Sequence, residues 1–243
     1  MRTIRLLVSG LPAGGGAFLL PPGPAAHAAR VLRVTTGDAL VLFDGEGREA
    51  AARVTEARGG RVVVEAAVAV EVDRESPLSL TLVQGISRSE RMDLVVQKAT
   101  ELGVSRLVPV LTERSVVKLD AAQAAKRLQH WQGIVAAACE QSGRTRLAMV
   151  EPVVSFGAWL ARPATLPESR FLLHPGSRTR VRDLPPLRAA TLLIGPEGGL
   201  SPAERDQALA AGFTELSLGP RILRTETAAL AALAALQAIA GDL

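Results

Sequence analysis

The chain has 243 residues, of which 48% are hydrophobic and 21% are charged, a balance typical of a globular protein and not of a disordered one. No apolar run reaches the roughly 20 residues that a membrane-spanning helix needs, and the single cysteine, Cys139, excludes an intrachain disulfide. The net charge is +4, and all but three of the 28 basic residues are arginines, which bind phosphate in a bidentate manner. We expect a cytoplasmic protein without a membrane segment and with a polyanionic partner.

Up to about residue 73 the sequence consists of short β-rich pieces separated by glycine and proline turns. The pieces are TIRLLV (3–8), AARVLRV (28–34), DALVLF (38–43), AAARVTEA (50–57) and RVVVEAAVAVEV (61–72). Such spacing predicts a small all-β barrel or sandwich. Residues 1–37 contain four arginines and no acidic residue, a basic strip that suits a polyanion.

Two further patterns in the chain resemble binding sites but do not indicate one. GEGREA (45–50) matches a dinucleotide-binding fingerprint, but a strand and not a helix is predicted after it, so we interpret DGEG (44–47) as a hairpin turn. The histidines His27, His130 and His174 lie far apart in the sequence without cysteine or carboxylate at ligand spacing. We expect no metal site.

From LSLTLV (78–83) onward, strand-like and helix-like runs alternate. The strand-like runs are LSLTLV, RLVPVL (106–111), FLLH (171–174), TLLI (191–194) and TELSL (214–218), and the helix-like runs are 88–102, 120–142, 201–212 and 225–241. Alternation of this kind predicts an α/β fold with a parallel sheet covered by helices. The polar stretch VDRESP (72–77) separates two predicted domains, residues 1–73 and 74–243.

The segment TLLIGPEGGLSPAERDQALAAG (191–212) predicts a strand, a glycine-rich turn and a well-specified helix start. Ser201 is a suitable N-cap, Pro202 fits the first helical position, and Glu204 completes a capping box. The glycines at 195, 198 and 199 permit a ligand to approach the main chain beyond the end of a parallel strand. The alternative is a tight turn without a ligand.

The segment TELSLGPRILRTETA (214–228) leads into an alanine-rich final helix. Arg221 and Arg224 precede the positive end of this helix, against the preference of its dipole, and are candidates for contacting an anion. The helix carries Leu230, Leu233, Leu236 and Ile239 among alanines, so we expect it to be buried on most faces. It is either packed against a second subunit or an ordinary core helix.

These segments resemble one family along nearly the whole chain. LLIGPEGGLSPAE (192–204) followed by LGPRILRTETA (218–228) is similar to the C-terminal signature of the small-subunit ribosomal RNA uridine-N3 methyltransferases of the SPOUT class. Residues 90–118 and AACEQSGR (137–144) resemble the middle motifs of that family, and HAARVLRVTTGDALVLFDGEG (27–47) resembles its N-terminal barrel.

The resemblance implies a PUA-like β-barrel that holds RNA, followed by a SPOUT α/β domain with a C-terminal trefoil knot. It also implies S-adenosylmethionine as cofactor, small-subunit ribosomal RNA as substrate, a homodimer, and no need for a metal. By motif position the cofactor would be lined by Leu173, His174, Gly195, Pro196, Glu197, Gly198, Gly199, Leu218, Gly219, Arg221, Ile222 and Leu223.

Methylation at N3 of uridine requires loss of a proton from a largely neutral imide. A carboxylate base or arginines beside the uracil oxygens would favour the anion, and the candidates are Glu197 and Arg224; Glu197 has the alternative role of fixing the glycine loop or pairing an arginine across the dimer. Candidates for RNA contacts are Arg30, Arg33, Arg88, Arg91, Lys98, Arg114 and Arg144.

The chain departs from the family at QGISRSER (84–91), where family members commonly have a lysine-containing ALPKGDR-like stretch; Arg88 or Arg91 would supply that charge. Two other functions remain open at this point. One is a non-catalytic RNA-binding assembly factor, and the other is a SPOUT methyltransferase for another target such as a transfer-RNA ribose.

Overall fold

The structure, a computed structural model, describes residues 4–162, 167 and 169–243. The chain divides into two compact units. The first unit comprises Met1–Glu75 and Ala136–Leu147, and the second comprises Ser76–Val135 and Ala148–Leu243.

The first unit is built on a largely antiparallel sheet. Its strands are β1 (Ile4–Leu7), β2 (Gly16–Leu19), β3 (Ala39–Phe43), β4 (Arg48–Arg58), β5 (Arg61–Ala66) and β6 (Val70–Glu71). The order is β1-β3-β4-β5-β2 with β6 beside β4, and the pair β1 and β3 is parallel. Alternate side chains such as Leu40, Leu42, Val62 and Val64 are buried in one core, as the two-residue period of a strand requires.

Residues 28–34 do not form the predicted strand. Helix α1 (Pro22–His27) is followed directly by a π-helical turn, Ala28–Leu32. Pro22 is pre-shaped for the start of a helix, and the helical spacing buries Ala25 and Ala28 while Val31 stays exposed. The valines therefore gave a misleading strand signal. The hairpin prediction at 44–47 is confirmed, since Oδ1 of Asp44 accepts hydrogen bonds from the N–H groups of Glu46 and Arg48.

The second unit confirms the predicted α/β alternation. Its strands are β7 (Ser79–Gly85), β8 (Val104–Leu111), β9 (Met149–Val150), β10 (Val154–Ser155), β11 (Arg170–Leu173), β12 (Ala189–Ile194) and β13 (Thr214–Leu216). Its helices are α2 (Ser89–Glu101), α3 (Ala121–Ser142), α4 (Phe156–Leu160), α5 (Pro202–Ala210) and α6 (Thr225–Ala240), with a 3-10 turn at Val181–Asp183. The last residues of α3 belong to the first unit.

The sheet of the second unit has the order β10-β8-β7-β12-β11-β13, with β9 beside β8, and the described strand pairs in it are parallel. One face packs on a core that includes Val83, Val108 and Leu193 and the aromatic side chains of Phe156, Trp159 and Phe213. Because the strands are parallel, their carboxyl ends lie along one edge, and the loops that follow them meet there.

The predicted start of α5 can be checked directly. The capping box at the start of α5 is present, since the Ser201 side chain accepts from the N–H of Glu204 and the Glu204 side chain accepts from the N–H of Ser201. In the part of the chain that the structure describes, no helix combines the length and the apolar character needed to cross a bilayer.

Candidate functional site

A cavity of about 700 Å³ lies at the carboxyl edge of the parallel sheet in the second unit. It is bounded by the loops that follow β11, β12 and β13. All twelve residues that the sequence resemblance placed around a cofactor line this cavity, from Leu173 and His174 through residues 195–199 to residues 218–223. Segments that are about 45 residues apart in the chain are therefore brought together at one place.

The wall formed by residues 195–199 depends on close backbone contacts. A Cβ atom on Gly195 would lie 2.7 Å from the backbone carbon of Gly199 and from the nitrogen of Leu200. A Cβ atom on Gly85, at the end of β7, would lie 2.5 Å from the nitrogen of Pro196. The glycines at these positions are needed because the main chain leaves no room for a side chain, and not because of an unusual φ.

A buried polar linkage fixes two of the three loops to each other. The side-chain amide of Gln84 donates to Oγ1 of Thr225 at 2.9 Å, and that hydroxyl donates to the carbonyl oxygen of Gly195 at 2.6 Å. Gln84 is 1% exposed. Sequence reasoning missed both side chains; a polar residue at the end of an otherwise apolar strand is the signal that would have pointed to Gln84.

Glu197 is hydrogen-bonded on one oxygen and anchors an arginine. Its Oε1 accepts from the backbone N–H of Arg88 and from Nη1 of Arg91, both at 3.1 Å. Nε of Arg91 also lies 3.7 Å from Oε1 of Glu226, so Arg91 is held between two carboxylates. Partial burial raises the pKa of Glu197, but the N–H groups of Arg88 and of Glu197 itself and the charge of Arg91 together hold that pKa below its usual value.

The loop after β8 reaches the same wall. Nη1 of Arg114 donates to the carbonyl oxygen of Gly198 at 3.1 Å. The neighbouring backbone N–H of Glu113 donates to Oε1 of Glu204 at 2.9 Å. Glu204 thus serves both the capping box of α5 and the position of Arg114.

Arg221 and Arg224 lie on the third loop with exposed side chains, and both line the cavity. Arg224 is the N-cap residue of α6, and its carbonyl oxygen accepts from the N–H of Ala228 at 2.8 Å. Neither guanidinium has an ion-pair partner among the described residues. The loop therefore presents two cations at the mouth of the cavity.

The other candidates for RNA contact are dispersed. The structure places Arg91 and Arg114 in the cavity wall, and the exposed side chain of Arg88 lies beside it. Lys98 is paired with Glu101 at 2.8 Å near the end of α2. In the first unit, Arg30 and Arg33 are exposed, whereas Arg144 is 5% exposed and its guanidinium forms a two-point pair with Glu75. Little of the Arg144 surface is open to a phosphate.

Two family models match the chain. The model described as an RNA methyltransferase domain matches residues 74–237, and the model described as an RNA methyltransferase PUA domain matches residues 25–66. The fold and the site thus define a protein of the RNA methyltransferase class.

Comparison with individual relatives identifies the family within this class. The ribosomal RNA small subunit methyltransferase E of Mycobacterium bovis is 33% identical over 97% of this chain and 91% of its own length. The enzyme of that name from Neisseria gonorrhoeae, solved bound to S-adenosylmethionine, is 39% identical with a TM-score of 0.90. A Legionella pneumophila protein solved with the cofactor S-adenosylmethionine is 41% identical with a TM-score of 0.95, and both solved chains and this one are covered completely. The chain belongs to the ribosomal RNA small subunit methyltransferase E family.

Proposed function

We propose that this protein transfers a methyl group from S-adenosylmethionine to N3 of a uridine in small-subunit ribosomal RNA. The observation that supports this most directly is the cavity walled by residues 173–174, 195–199 and 218–223 at the carboxyl edge of the parallel sheet. The corresponding fold in the relatives from Legionella and Neisseria was solved with S-adenosylmethionine. The N3 specificity follows from the motif resemblance.

The residues present fit this cofactor. The cavity volume of about 700 Å³ is within the usual range for a site of this kind. Oε2 of Glu197 is buried without a hydrogen-bond partner in the described part of the chain, and a donor on a bound molecule would satisfy it. We propose that the loops at 195–199 and 218–223, with Leu173 and His174, hold the cofactor largely through the main chain. When bound there, S-adenosylmethionine supplies an electrophilic methyl group.

The arginines at the cavity are suited to stabilising the uridine anion. Loss of the N3 proton to solvent water leaves negative charge on the two neighbouring carbonyl oxygens, and preorganised cations stabilise such charge. Arg224 is exposed at the cavity mouth, and Arg91 is oriented by Glu197 and Glu226. A carboxylate whose pKa is held low is a weak proton acceptor. We therefore assign Glu197 to the positioning of Arg91 and not to the role of general base for which the sequence made it a candidate.

The proposal extends to the two domains, the threading of the chain, the oligomeric state and the localisation. Residues 1–73 would form a PUA-like β-barrel that holds RNA, and residues 74–243 would catalyse. The C-terminal third of the chain would be knotted. Two contacts support this: the backbone N–H of Ser217, after β13, donates to the carbonyl oxygen of Thr179 in the loop after β11, and α6 packs on the turn at 181–183 in that same loop.

A homodimer would cover Ile222, which is 84% exposed, and Ile239 of α6, which is 47% exposed. Ribosomal RNA as substrate would place the enzyme in the cytoplasm.

The test is incubation of the protein with labelled S-adenosylmethionine and small ribosomal subunits that lack the modification, followed by nucleoside analysis. We expect label in N3-methyluridine. A ribose-methylated product would assign the protein to another target. Binding of RNA without any transfer would favour a non-catalytic assembly factor.

A further inference from the structure

A second groove, of about 490 Å³, lies in the second unit between the loop after β8 and the first turns of α3. Its lining includes the polar side chains of Lys118, Gln123, Lys126, Arg127 and His130. None of these residues belongs to the cavity described above. The groove lining contains no acidic residue.

The cations of this groove form no ion pairs within the described part of the chain, although the guanidinium of Arg127 donates a hydrogen bond to Ser89. Lys118, Lys126 and Arg127 have no carboxylate within ion-pair distance in the described part of the chain, whereas Lys98, the remaining lysine, is paired with Glu101. The side chains of Lys118 and Lys126 are exposed. His130 is hydrogen-bonded to Asp93 at 2.9 Å, which fixes the side chain at one end of the groove. The groove thus carries two exposed lysines that are available to an external anion, and a third cation, Arg127, that has no carboxylate partner but is held by Ser89.

The groove is connected to the cofactor cavity by direct contacts. Nη2 of Arg127 donates to Oγ of Ser89 at 2.6 Å. The preceding residue, Arg88, donates its backbone N–H to Glu197 in the cavity wall. On the other side, the loop after β8 carries Arg114, which contacts Gly198, and four residues later Lys118, which lines the groove. The segment 113–120 therefore supplies residues to both the cavity and the groove, and the segment 88–91 supplies Arg91 to the cavity and contacts the groove through Ser89.

We propose that this groove binds the phosphates of the RNA strand that flanks the target nucleotide, an inference that rests on the proposed function. A flexible ammonium group binds phosphate as a point charge without reading the base. The groove lining contains no Phe, Tyr or Trp, and its one aromatic ring, the imidazole of His130, is hydrogen-bonded to Asp93, so we assign the contact to the phosphate backbone and not to base stacking. The strand would run from the groove past Arg88 and Arg114 to the cavity. This arrangement gives the second unit its own RNA affinity, independent of Arg30 and Arg33 in the first unit.

The test compares two double variants by the salt dependence of their binding to small-subunit ribosomal RNA transcribed in vitro. Lys118→Ala/Lys126→Ala removes two charges from the groove. Arg106→Ala/Arg162→Ala removes two charges elsewhere in the same unit, at side chains that pair with Glu151. We expect the slope of log K against log salt to fall in magnitude by about two for the groove variant. The slope of the control variant stays at the wild-type value.

Calorimetry with S-adenosylmethionine monitors the integrity of the cofactor cavity, and we expect both variants to bind it like the wild type. The single variant Lys126→Gln, at an exposed helical position, gives a second reading, with an expected fall in slope of about one. An unchanged slope in both groove variants, or an equal fall in the control, overturns the inference. If the wild type binds RNA but transfers no methyl group, the proposed function fails, while the comparison of slopes still decides whether the groove binds phosphate.

Discussion

At Gly195 and Gly85 the main chain of the cavity wall comes so close to neighbouring backbone that any Cβ atom would require it to move. The atoms that a Cβ on Gly195 would meet belong to Gly199 and Leu200, which themselves form the wall, so they cannot yield without changing the cavity. Gly133 in α3 has the opposite environment, because a Cβ there would meet nothing within 4 Å. Gly195 and Gly133 therefore form a matched pair. The same Gly→Ala substitution changes the shape of the cavity at one position and only the helix propensity at the other.

We expect Gly195→Ala to weaken the binding of S-adenosylmethionine at least tenfold, a loss of about 1.4 kcal/mol, because the displaced backbone narrows the cavity. Gly133→Ala should leave the affinity unchanged and stabilise α3 by about 0.5–1 kcal/mol. Isothermal titration calorimetry and denaturant unfolding measure the two quantities. Wild-type affinity in the folded Gly195→Ala variant would show that the cofactor does not depend on this wall.

The pairing of Arg91 with Glu197 predicts strongly non-additive kinetics. If Glu197 acts by positioning Arg91, Glu197→Gln and Arg91→Ala should each lower kcat/KM for methyl transfer about tenfold or more, and the double variant should be no slower than the worse single variant. Because the pKa of Glu197 is held low, the acid limb of the pH profile should not move in Glu197→Gln. Additive losses, or loss of that acid limb, would instead make Glu197 the base.

At the scale of secondary-structure elements, α5 is linked to the loop after β8 through Glu204. This carboxylate is 4% exposed, and its two oxygens accept from the N–H groups of Ser201 and Glu113. The first contact begins the helix, and the second holds the loop after β8, on which Arg114 lies. One side chain therefore couples the start of α5 to the loop after β8.

We expect Glu204→Ala to lower the free energy of unfolding by about 2 kcal/mol, since it removes a cap and leaves two donors without an acceptor. Glu90→Ala removes an exposed first-turn carboxylate of α2 and should cost about 0.3–1 kcal/mol. Urea denaturation of both variants measures the difference. Equal losses in the two variants would show that the contact with Glu113 contributes nothing.

The sequence predicted the elements whose signals are local. The start of α5 at Pro202 and the alternation of β7, α2, β8 and α3 follow from capping residues and hydrophobic period, and the structure has them. The strand predicted over 28–34 was wrong, because burial of Ala25 and Ala28 in the core outweighed the strand preference of the valines. The link from Gln84 through Thr225 to Gly195 joins residues that are 141 and 30 positions apart. No local pattern encodes such a contact.

For the whole molecule, the main departure from a simple division of the chain is that residues 136–147 belong to the first unit. Within that unit, Oε1 of Glu140 accepts from the N–H of Leu7 at 3.1 Å, and the hydroxyl of Thr145 donates to the carbonyl oxygen of Val72 at 2.6 Å. Arg144 pairs with Glu75 as described above. Arg144, which the sequence made a candidate for RNA contact, is therefore engaged within the first unit.

The first unit should therefore need both of its segments to fold stably. We expect a fragment of residues 1–75 to melt at least about 10 °C below a fragment in which a flexible glycine-serine linker joins residues 1–75 to residues 136–147, because several contacts of about 1 kcal/mol each are lost and each shifts Tm by about 4–8 °C in a unit of this size. Circular dichroism during heating measures both transitions. In the linked fragment, Thr145→Val should lower Tm by a few degrees, since the carbonyl of Val72 loses its donor. Equal melting temperatures for the two fragments would mean that the 136–147 segment packs on the first unit without stabilising it.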